Sequence, residues 1–230
     1  MYRERTSPQV FGAVVWYGTS PGESRTQRVL PDGCMDLIWI GGTLLVAGPD
    51  TTAHLAEWVP GRDYVGLRFA PGTAPAVLGV PAHELRDQRV PLADMWPAAR
   101  VRRLTDQLAH TADAGAVLEE VAVRRLGENP PGDAPVLSAI VDRLRAGSAV
   151  AATAQATGLS ERQLHRRCLA AFGYGPKTLA RILRMNRALG MVRAGVPIAS
   201  AAAAAGYADQ PHLTREVKIL AGAPITELTA

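Results

Sequence analysis

The stretch TAQATGLSERQLHRR, residues 153–167, opens the first of two related segments in this chain. Four positions of this first segment recur 49 residues later, where Leu164, Arg166, Cys168 and Gly173 correspond to Leu213, Arg215, Val217 and Gly222. Each segment has a helix of small residues, a glycine turn at Gly158 or Gly206, and a helix-capping residue at Ser160 or Asp209. A second helix follows and begins with polar side chains. This order predicts two helix-turn-helix units.

The second helix of each unit separates apolar from polar side chains. Leu164, Cys168 and Phe172 recur every four residues, so we expect them to face the core. The other stripe carries donors suited to base edges, since Arg binds guanine and Gln binds adenine through two hydrogen bonds. The predicted base-reading residues are Arg162, His165, Arg166, Gln210, His212 and Arg215. The predicted phosphate contacts are Ser160, Lys177, Arg181, Arg187, Thr214 and Lys218.

These charges could instead be the ordinary solvated face of a helical bundle. The charge distribution and the presence of two copies favour DNA. Residues 1–133 contain 13 Arg and no Lys against 16 acidic residues, a net charge of −3, whereas residues 134–230 carry a net charge of +7. We therefore expect only the second part of the chain to face a polyanion.

Composition excludes several other classes of protein. The chain has 230 residues, 47% hydrophobic and 20% charged, which is enough apolar material for a packed core. It has no apolar run near the roughly 18 residues of a membrane span, and its first residues do not resemble a signal peptide. Two cysteines, Cys34 and Cys168, cannot form a disulfide framework or a four-cysteine zinc site. A cytoplasmic protein without membrane contact is the expectation.

The first part of the chain has the pattern of a strand-rich domain. Short apolar segments separated by Gly and Pro turns predict strands at residues 10–17, 25–30, 35–40, 43–47 and 64–69. Such strands predict a β-sandwich or small barrel. Helical patterns follow at 97–110 and 114–126, and Pro and Gly at 127–133 indicate a linker. Beyond the linker only helices are predicted, so the fold class is α+β.

The region from residue 135 to 230 resembles the DNA-binding domain of the AraC/XylS family, in which a long helix joins two helix-turn-helix units. Residues 153–167 match the first unit, and GYADQPHLTR, residues 206–215, matches the second. The N-terminal part resembles, less specifically, the degenerate cupin-like sensor domain of such regulators. The segments that carry this second resemblance are residues 29–39, 46–50, 66–72 and 79–85.

Together these resemblances imply a sequence-specific transcription regulator. Its expected segments are a cupin-like sensor at 1–96, a helical hairpin for dimerisation at 97–127, a linker at 128–133 and an AraC-type DNA-binding domain at 134–230. Double-stranded DNA and a small-molecule effector are the implied partners, with RNA polymerase and a second copy of the chain as further candidates. The alternative for the hairpin is that its apolar stripes pack on the barrel.

Catalysis is not expected in the N-terminal part. His54, His83 and His110 are far apart and form no His-x-His pair, and no phosphate loop, nucleophile elbow or dinucleotide motif is present. We therefore predict no catalytic residue, metal or cofactor. Cys34 could act in redox or metal sensing, but we expect a buried hydrophobic residue. The candidate effector-binding residues are Trp16, Trp39, His54, Trp58 and Arg68, although aromatic residues in strands are also common in cores.

Two other functions stay open at this point. In the first, the protein binds DNA without an effector and its N-terminal part only dimerises or contacts polymerase. In the second, a cupin-derived enzyme is fused to a DNA-binding domain. Dependence of DNA affinity on a metabolite distinguishes the first alternative, and metal content tests the second.

Overall fold

The computed structural model describes residues 2–20, 22, 24–130 and 132–229. Pro131, which belongs to the predicted linker, lies outside the described residues. The N-terminal domain contains eight strands in its described part: β1 (Tyr2–Thr6), β2 (Val14–Thr19), β3 (Arg25–Val29), β4 (Met35–Ile40), β5 (Thr43–Ala47), β6 (His54–Trp58), β7 (Asp63–Phe69) and β8 (Arg89–Pro91).

The described chain also contains ten α-helices, the first of which lies between β7 and β8. The N-terminal domain holds α1 (Ala74–Leu78), α2 (Ala98–His110) and α3 (Ala114–Glu128). The C-terminal domain holds α4 (Ala134–Arg145), α5 (Val150–Ala156), α6 (Glu161–Phe172), α7 (Pro176–Arg193), α8 (Ile198–Ala204), α9 (Gln210–Ala221) and α10 (Ile225–Leu228). The prediction of a strand-rich part followed by an all-α part is confirmed.

The strands form two antiparallel sheets. Six strands pair in the order β1-β2-β7-β4-β5-β8, and β3 pairs with β6. The strand predicted at 10–17 begins at Val14, and strands β1, β6 and β8 were not predicted. β1 reads Tyr-Arg-Glu-Arg-Thr, so it lacks the apolar alternation that marks a half-buried strand. It is an edge strand, and its register comes from pairing with β2 alone.

Alternation along the strands gives the six-stranded sheet two different faces. On β4 and β7, odd-numbered residues such as Leu37 and Leu67 point into the main hydrophobic core. Even-numbered residues such as Asp36, Ile38 and Arg68 line a cavity that also receives residues of β3 and β6. The sheet therefore separates a packed core from a hollow, as expected for a sandwich or barrel that binds a small molecule.

The core-facing side of this sheet is covered by α2 and α3. Their predicted apolar stripes, which include Leu104 and Leu118, belong to the core of the N-terminal domain. The buried Glu119 of α3 accepts two hydrogen bonds from Arg5 of β1, at 2.9 and 2.7 Å. The stripes thus pack on the sheet, which was the alternative to dimerisation. A dimer would have to use other faces of the hairpin.

The C-terminal domain has two hydrophobic clusters joined by α7. Leu179 and Ile182, in the first half of α7, pack in one cluster with α4 and α6. Met185 and Leu189, in the second half, pack in the other cluster with α8 and α9. With 18 residues, α7 is about 27 Å long. The two helix-turn-helix units are therefore attached to one rigid helix.

The two domains are in direct contact through polar atoms. The Asn186 side chain of α7 donates to the carbonyl of Pro31 at 2.7 Å. The backbone N–H of Ala53 donates to the carbonyl of Leu220, at the end of α9, at 2.7 Å. These bonds place the loops of the sensor domain against α7 and α9.

Candidate DNA interface and effector cavity

The first recognition helix, α6, begins at a capping box. The Ser160 hydroxyl accepts a bond from the N–H of Gln163, and the Gln163 side chain accepts one from the N–H of Ser160. Gly158, in the preceding turn, has φ of +68°, and Gly173, which ends the helix, has φ of +82°. Both values lie in the left-handed region that glycine adopts at little cost, so the predicted turn and helix end are confirmed.

The polar face of α6 is open to solvent at its N-terminal end. Arg162, His165 and Arg166 are exposed, while Leu164 and Cys168 are fully buried. The His165 ring lies against Gly175, so close that a side chain at position 175 would touch it. The predicted division of α6 into a core face and a donor face is present in the structure. DNA contact by these three residues stays a prediction.

The second recognition helix, α9, has the same arrangement with a different cap. The Asp209 carboxylate accepts a bond from the N–H of His212 at 2.6 Å, and Pro211 occupies the first turn. Gln210 and Arg215 are exposed. His212 is half-buried, its ring packs edge-on against Tyr207, and its Nδ1 lies 3.4 Å from the N–H of Ala208. Of the three predicted base-reading residues in this unit, His212 is therefore the one whose side chain contacts other residues of the protein most closely.

The predicted phosphate contacts differ in their surroundings. Lys177 and Lys218 are exposed and form no ion pair among the described residues. The Ser160 hydroxyl is used in the cap of α6, and the Thr214 hydroxyl donates to the carbonyl of Gln210. Arg187 is exposed but borders the cleft between the domains, together with Asp32 and Asp142.

Arg181 has a structural partner that the sequence did not indicate. Its Nε and Nη2 donate to the two carboxylate oxygens of Glu216 of α9, at 2.7 and 3.2 Å. Arg184 lies 3.6 Å from the same carboxylate and over the Tyr207 ring. This pairing holds α9 against α7 and neutralises Arg181. Arg181 remains partly exposed beside this pair, and its contact with a phosphate stays a prediction.

The Arg181–Glu216 pair makes stability depend on pH. The hydrogen bonds from Arg181 are the main reason that the pKa of Glu216 lies below its ordinary 4.5. A carboxyl group whose pKa is lowered by folding stabilises the protein above its unfolded pKa and loses that contribution as pH falls. Arg181→Ala should lower the free energy of unfolding by about 1–3 kcal/mol at neutral pH. The deficit should shrink below pH 4.5 as Glu216 becomes protonated.

Urea unfolding of Arg181→Ala and wild type at several pH values measures this deficit. Lys177→Ala is the matched control, because Lys177 is an exposed cation of the same helix. Its unfolding free energy should stay within about 0.5 kcal/mol of wild type. A deficit for Arg181→Ala that is equal at low and neutral pH would show that the charge of Glu216 is not involved.

The candidate effector cavity lies between the two sheets and reaches the C-terminal domain. Its volume is about 540 Å³, within the range of small-molecule sites. Its apolar lining comes from both sheets: Trp16, Ile38, Ile40, Leu45, Ala47, Ala56, Trp58 and Tyr64. Asn186 and Arg193 of α7 also line it. A molecule in this cavity would touch the sensor domain and the helix that joins the two DNA-binding units.

Two strand glycines make room for the indole rings in this cavity. A Cβ atom at Gly66 of β7 would overlap the Trp16 ring, and one at Gly18 of β2 would overlap the Trp58 ring. The Trp16 Nε1 donates to Asp36 at 2.6 Å, which fixes the ring over the sheet. The glycine positions, which carried no functional signal in the sequence, are therefore what allow the tryptophans to form a wall.

The cationic side chains around the cavity fall into two groups. Arg68 lies 3.5 Å from Asp36 and 3.8 Å from Asp32, and Arg89 makes a bidentate pair with Asp50. Within the described chain, Arg28 and Arg193 have no carboxylate partner and donate instead to the carbonyls of Ala221 and Leu228. These last two arginines, one from each domain, keep their positive charge uncompensated.

The structure brings four of the five predicted effector-binding residues together. Trp16, His54, Trp58 and Arg68 line the cavity. Trp39 does not, because it points to the other face of β4 and packs against the core. Burial, and to a smaller extent the charge of Arg89, lowers the pKa of His54. Three further cavity residues, Arg28, Asn186 and Arg193, were not predicted. Asn186 and Arg193 belong to α7 of the C-terminal domain, and no local sequence pattern connects that helix with the sensor domain.

Cys34 is half-buried rather than fully buried as expected, and its thiol lines the cleft between the domains. Burial is the main cause that raises its pKa well above the ordinary value, with the carboxylates of Asp32 and Asp36 adding to it. A thiol of this kind is a poor nucleophile. Within the described residues, no three His, Cys, Asp or Glu side chains cluster as a metal site would need. No helix of the described chain is long and apolar enough to span a membrane.

Comparison with protein families identifies the C-terminal domain. A helix-turn-helix domain model matches residues 153–230. These residues contain the whole connecting helix and both units, except for residues 150–152 at the start of α5. The C-terminal domain is an AraC-type helix-turn-helix domain. Residues 11–91 match a domain of unknown function, DUF6597. The second part of the chain thus carries a DNA-binding domain of the helix-turn-helix class.

Solved structures of ToxT from Vibrio cholerae have a similar fold. The unsaturated fatty acid-bound wild-type protein of strain SCE256 has a TM-score of 0.50 and 10% identity, covering 98% of this chain and 96% of that one. A 1.65 Å structure of ToxT has a TM-score of 0.49 and 8% identity, covering 99% and 97%. No curated protein matches the chain. The similarity extends over both domains of this chain and nearly the whole of ToxT. At 8–10% identity it is a similarity of fold.

Proposed function

We propose that this regulator binds an amphipathic organic acid in the sensor cavity and that the acid changes its affinity for DNA. The observation that carries the proposal is the composition of the cavity wall, to which α7 contributes Asn186 and Arg193. A ligand there contacts both domains at once. Such a ligand can have a different interaction energy in two arrangements of the domains, which is what allosteric control requires.

The chemistry of the wall favours an acid with an apolar body. The Trp16 and Trp58 rings, 6.4 Å apart, and the aliphatic residues of β4 and β5 provide apolar surface. Arg28 and Arg193 provide positive charge that no described carboxylate neutralises, and guanidinium groups bind carboxylates through paired hydrogen bonds. Asp32 and Asp36 are already placed beside Arg68. The fold neighbour ToxT has been crystallised with an unsaturated fatty acid, a compound of the same class.

For the DNA side we propose that the exposed N-terminal ends of α6 and α9 enter successive major grooves. Arg162, Arg166, Gln210 and Arg215 would contact bases, because they are exposed beside buried core positions of the same helices. The connecting helix, about 27 Å long, suits grooves about 34 Å apart on one face of DNA. We propose that the protein is a cytoplasmic regulator without catalytic activity. Contact with RNA polymerase and dimer formation are separate proposals.

Decanoate and the uncharged decan-1-ol form a matched pair of probes for the effector. A DNA site is first selected from random duplexes with the full-length protein, and its Kd is then measured with and without each probe. Decanoate should change the Kd about fivefold or more, since coupling factors of about 5–150 are typical. Decan-1-ol should have a much smaller effect. Arg193→Gln should weaken decanoate binding by about tenfold. Tryptophan fluorescence measures this binding.

Each alternative function gives a different result. Decanoate binding without any change in Kd would favour a DNA-binding protein whose sensor domain has no control over DNA affinity. Absence of decanoate binding would overturn the proposed ligand class. A stoichiometric metal ion found by mass spectrometry in the purified protein would favour the cupin-derived enzyme.

A further inference from the structure

Both recognition helices end against an arginine of the sensor domain. The Arg28 Nη1 of β3 donates to the carbonyl of Ala221, the last residue of α9, at 2.9 Å. The Arg86 Nη1 donates to the carbonyl of Gly173, which caps α6, at 3.5 Å. The last carbonyls of a helix have no partner within it and form the negative end of its dipole, so a cation is favourable there. The sensor domain thus supplies a C-terminal cap to each DNA-reading helix.

The two caps differ in one respect that matters for control. Arg28 is part of the cavity wall, whereas Arg86 is not. The contact of Arg28 is also reinforced, because the neighbouring carbonyl of Leu220 accepts the N–H of Ala53 at 2.7 Å. Ala53 directly precedes His54, another cavity residue. The end of α9 is therefore attached at two points to the strands that enclose the cavity, and α6 is attached outside it.

We infer that Arg28 is the positioning residue through which an acid in the cavity acts on α9. This inference rests on the proposed function. A carboxylate is a stronger acceptor for a guanidinium than a backbone carbonyl. A bound acid therefore draws Arg28 away from Ala221, leaves that carbonyl without its partner and loosens the end of α9 from the sensor domain. The first recognition helix keeps its cap, so the ligand acts on one of the two DNA-reading units.

Hydrogen exchange of the full-length protein tests this coupling directly. The informative amides are that of Ala53, which bonds to Leu220, and those of the last turn of α9. Arg28→Ala should raise their exchange about tenfold without any ligand, because a hydrogen bond from a charged group is lost. Decanoate should raise the same rates in wild type and leave them unchanged in Arg28→Ala. Binding of decanoate is followed separately by tryptophan fluorescence.

Arg86→Ala is the matched control, since it removes the corresponding cap from α6 and leaves the cavity wall intact. It should raise exchange around Gly173 and keep the decanoate response at α9. If decanoate binds wild type and exchange at α9 is unchanged or slower, the inference is wrong and the proposed function stands. If decanoate does not bind, both fail. If Arg28→Ala exchanges like wild type at α9 without ligand, Arg28 is not the cap and the inference is also wrong.

Discussion

Replacing Arg166 or Arg215 by Ala is expected to weaken binding to the selected DNA site by about 1–3 kcal/mol, roughly a factor of 5 to 150, without affecting folding. Both side chains are exposed, two residues beyond the fully buried Leu164 and Leu213. They point away from the core and have no ion-pair partner among the described residues. Each variant should lose preference at one base pair, in a different half of the site. Binding-site selection and melting temperature measure the two effects.

Two controls separate base reading from other causes of lost binding. Lys218→Ala, on the exposed face of α9, should weaken all sequences alike and reduce the salt dependence of binding by about 0.9 in log–log slope. Leu164→Ala should destabilise the protein by about 2–5 kcal/mol through the cavity it leaves, and lose binding only as a consequence. If Arg166→Ala lowers the melting temperature and keeps its base preference, the recognition face of α6 has been assigned wrongly.

The C-terminal domain could be predicted from sequence because its signals are local. The cap at Ser160, the turn at Gly158 and the four-residue spacing of Leu164 and Cys168 all fall within one short segment. The repeat then confirms the pattern independently. The pair between Arg181 and Glu216 was not predictable in this way. It joins α7 to α9 across 35 positions, and only the angle at which these helices pack brings the two side chains together.

The cavity was harder to predict because the sequence of a strand does not show which of its two faces points to the core and which to a cavity. Trp16 and Trp39 are both aromatic residues in apolar strands, yet only Trp16 lines the cavity. The decisive fact is register, since Trp16 pairs with Gly66 and Trp39 pairs with the preceding residue, Val65. Adjacent strand residues point to opposite faces. One position in the pairing of β7 therefore decides which tryptophan lines the cavity and which packs against the core.

Gly66→Ala is expected to destabilise the protein by about 2.5–6 kcal/mol and to abolish decanoate binding. The added methyl group would overlap the Trp16 ring, so the ring has to leave its place over the sheet. Overpacking of this kind costs about 1–3 kcal/mol. The hydrogen bond from Trp16 to the Asp36 carboxylate would be lost as well, at about 1.5–3 kcal/mol for a bond to a charged group. Urea unfolding and the change in tryptophan fluorescence with decanoate measure the two effects.

Gly190→Ala provides the comparison, because Gly190 is a helix residue of α7 with open space where its Cβ would be. This substitution should stabilise the protein by up to about 1 kcal/mol, as alanine is favoured over glycine inside helices, and should leave decanoate binding unchanged. The contrast tests the role of Gly66 in shaping the cavity rather than the general cost of changing a glycine. If Gly66→Ala unfolds like wild type and still binds decanoate, then Trp16 does not form the cavity wall as described, and the acid must bind elsewhere.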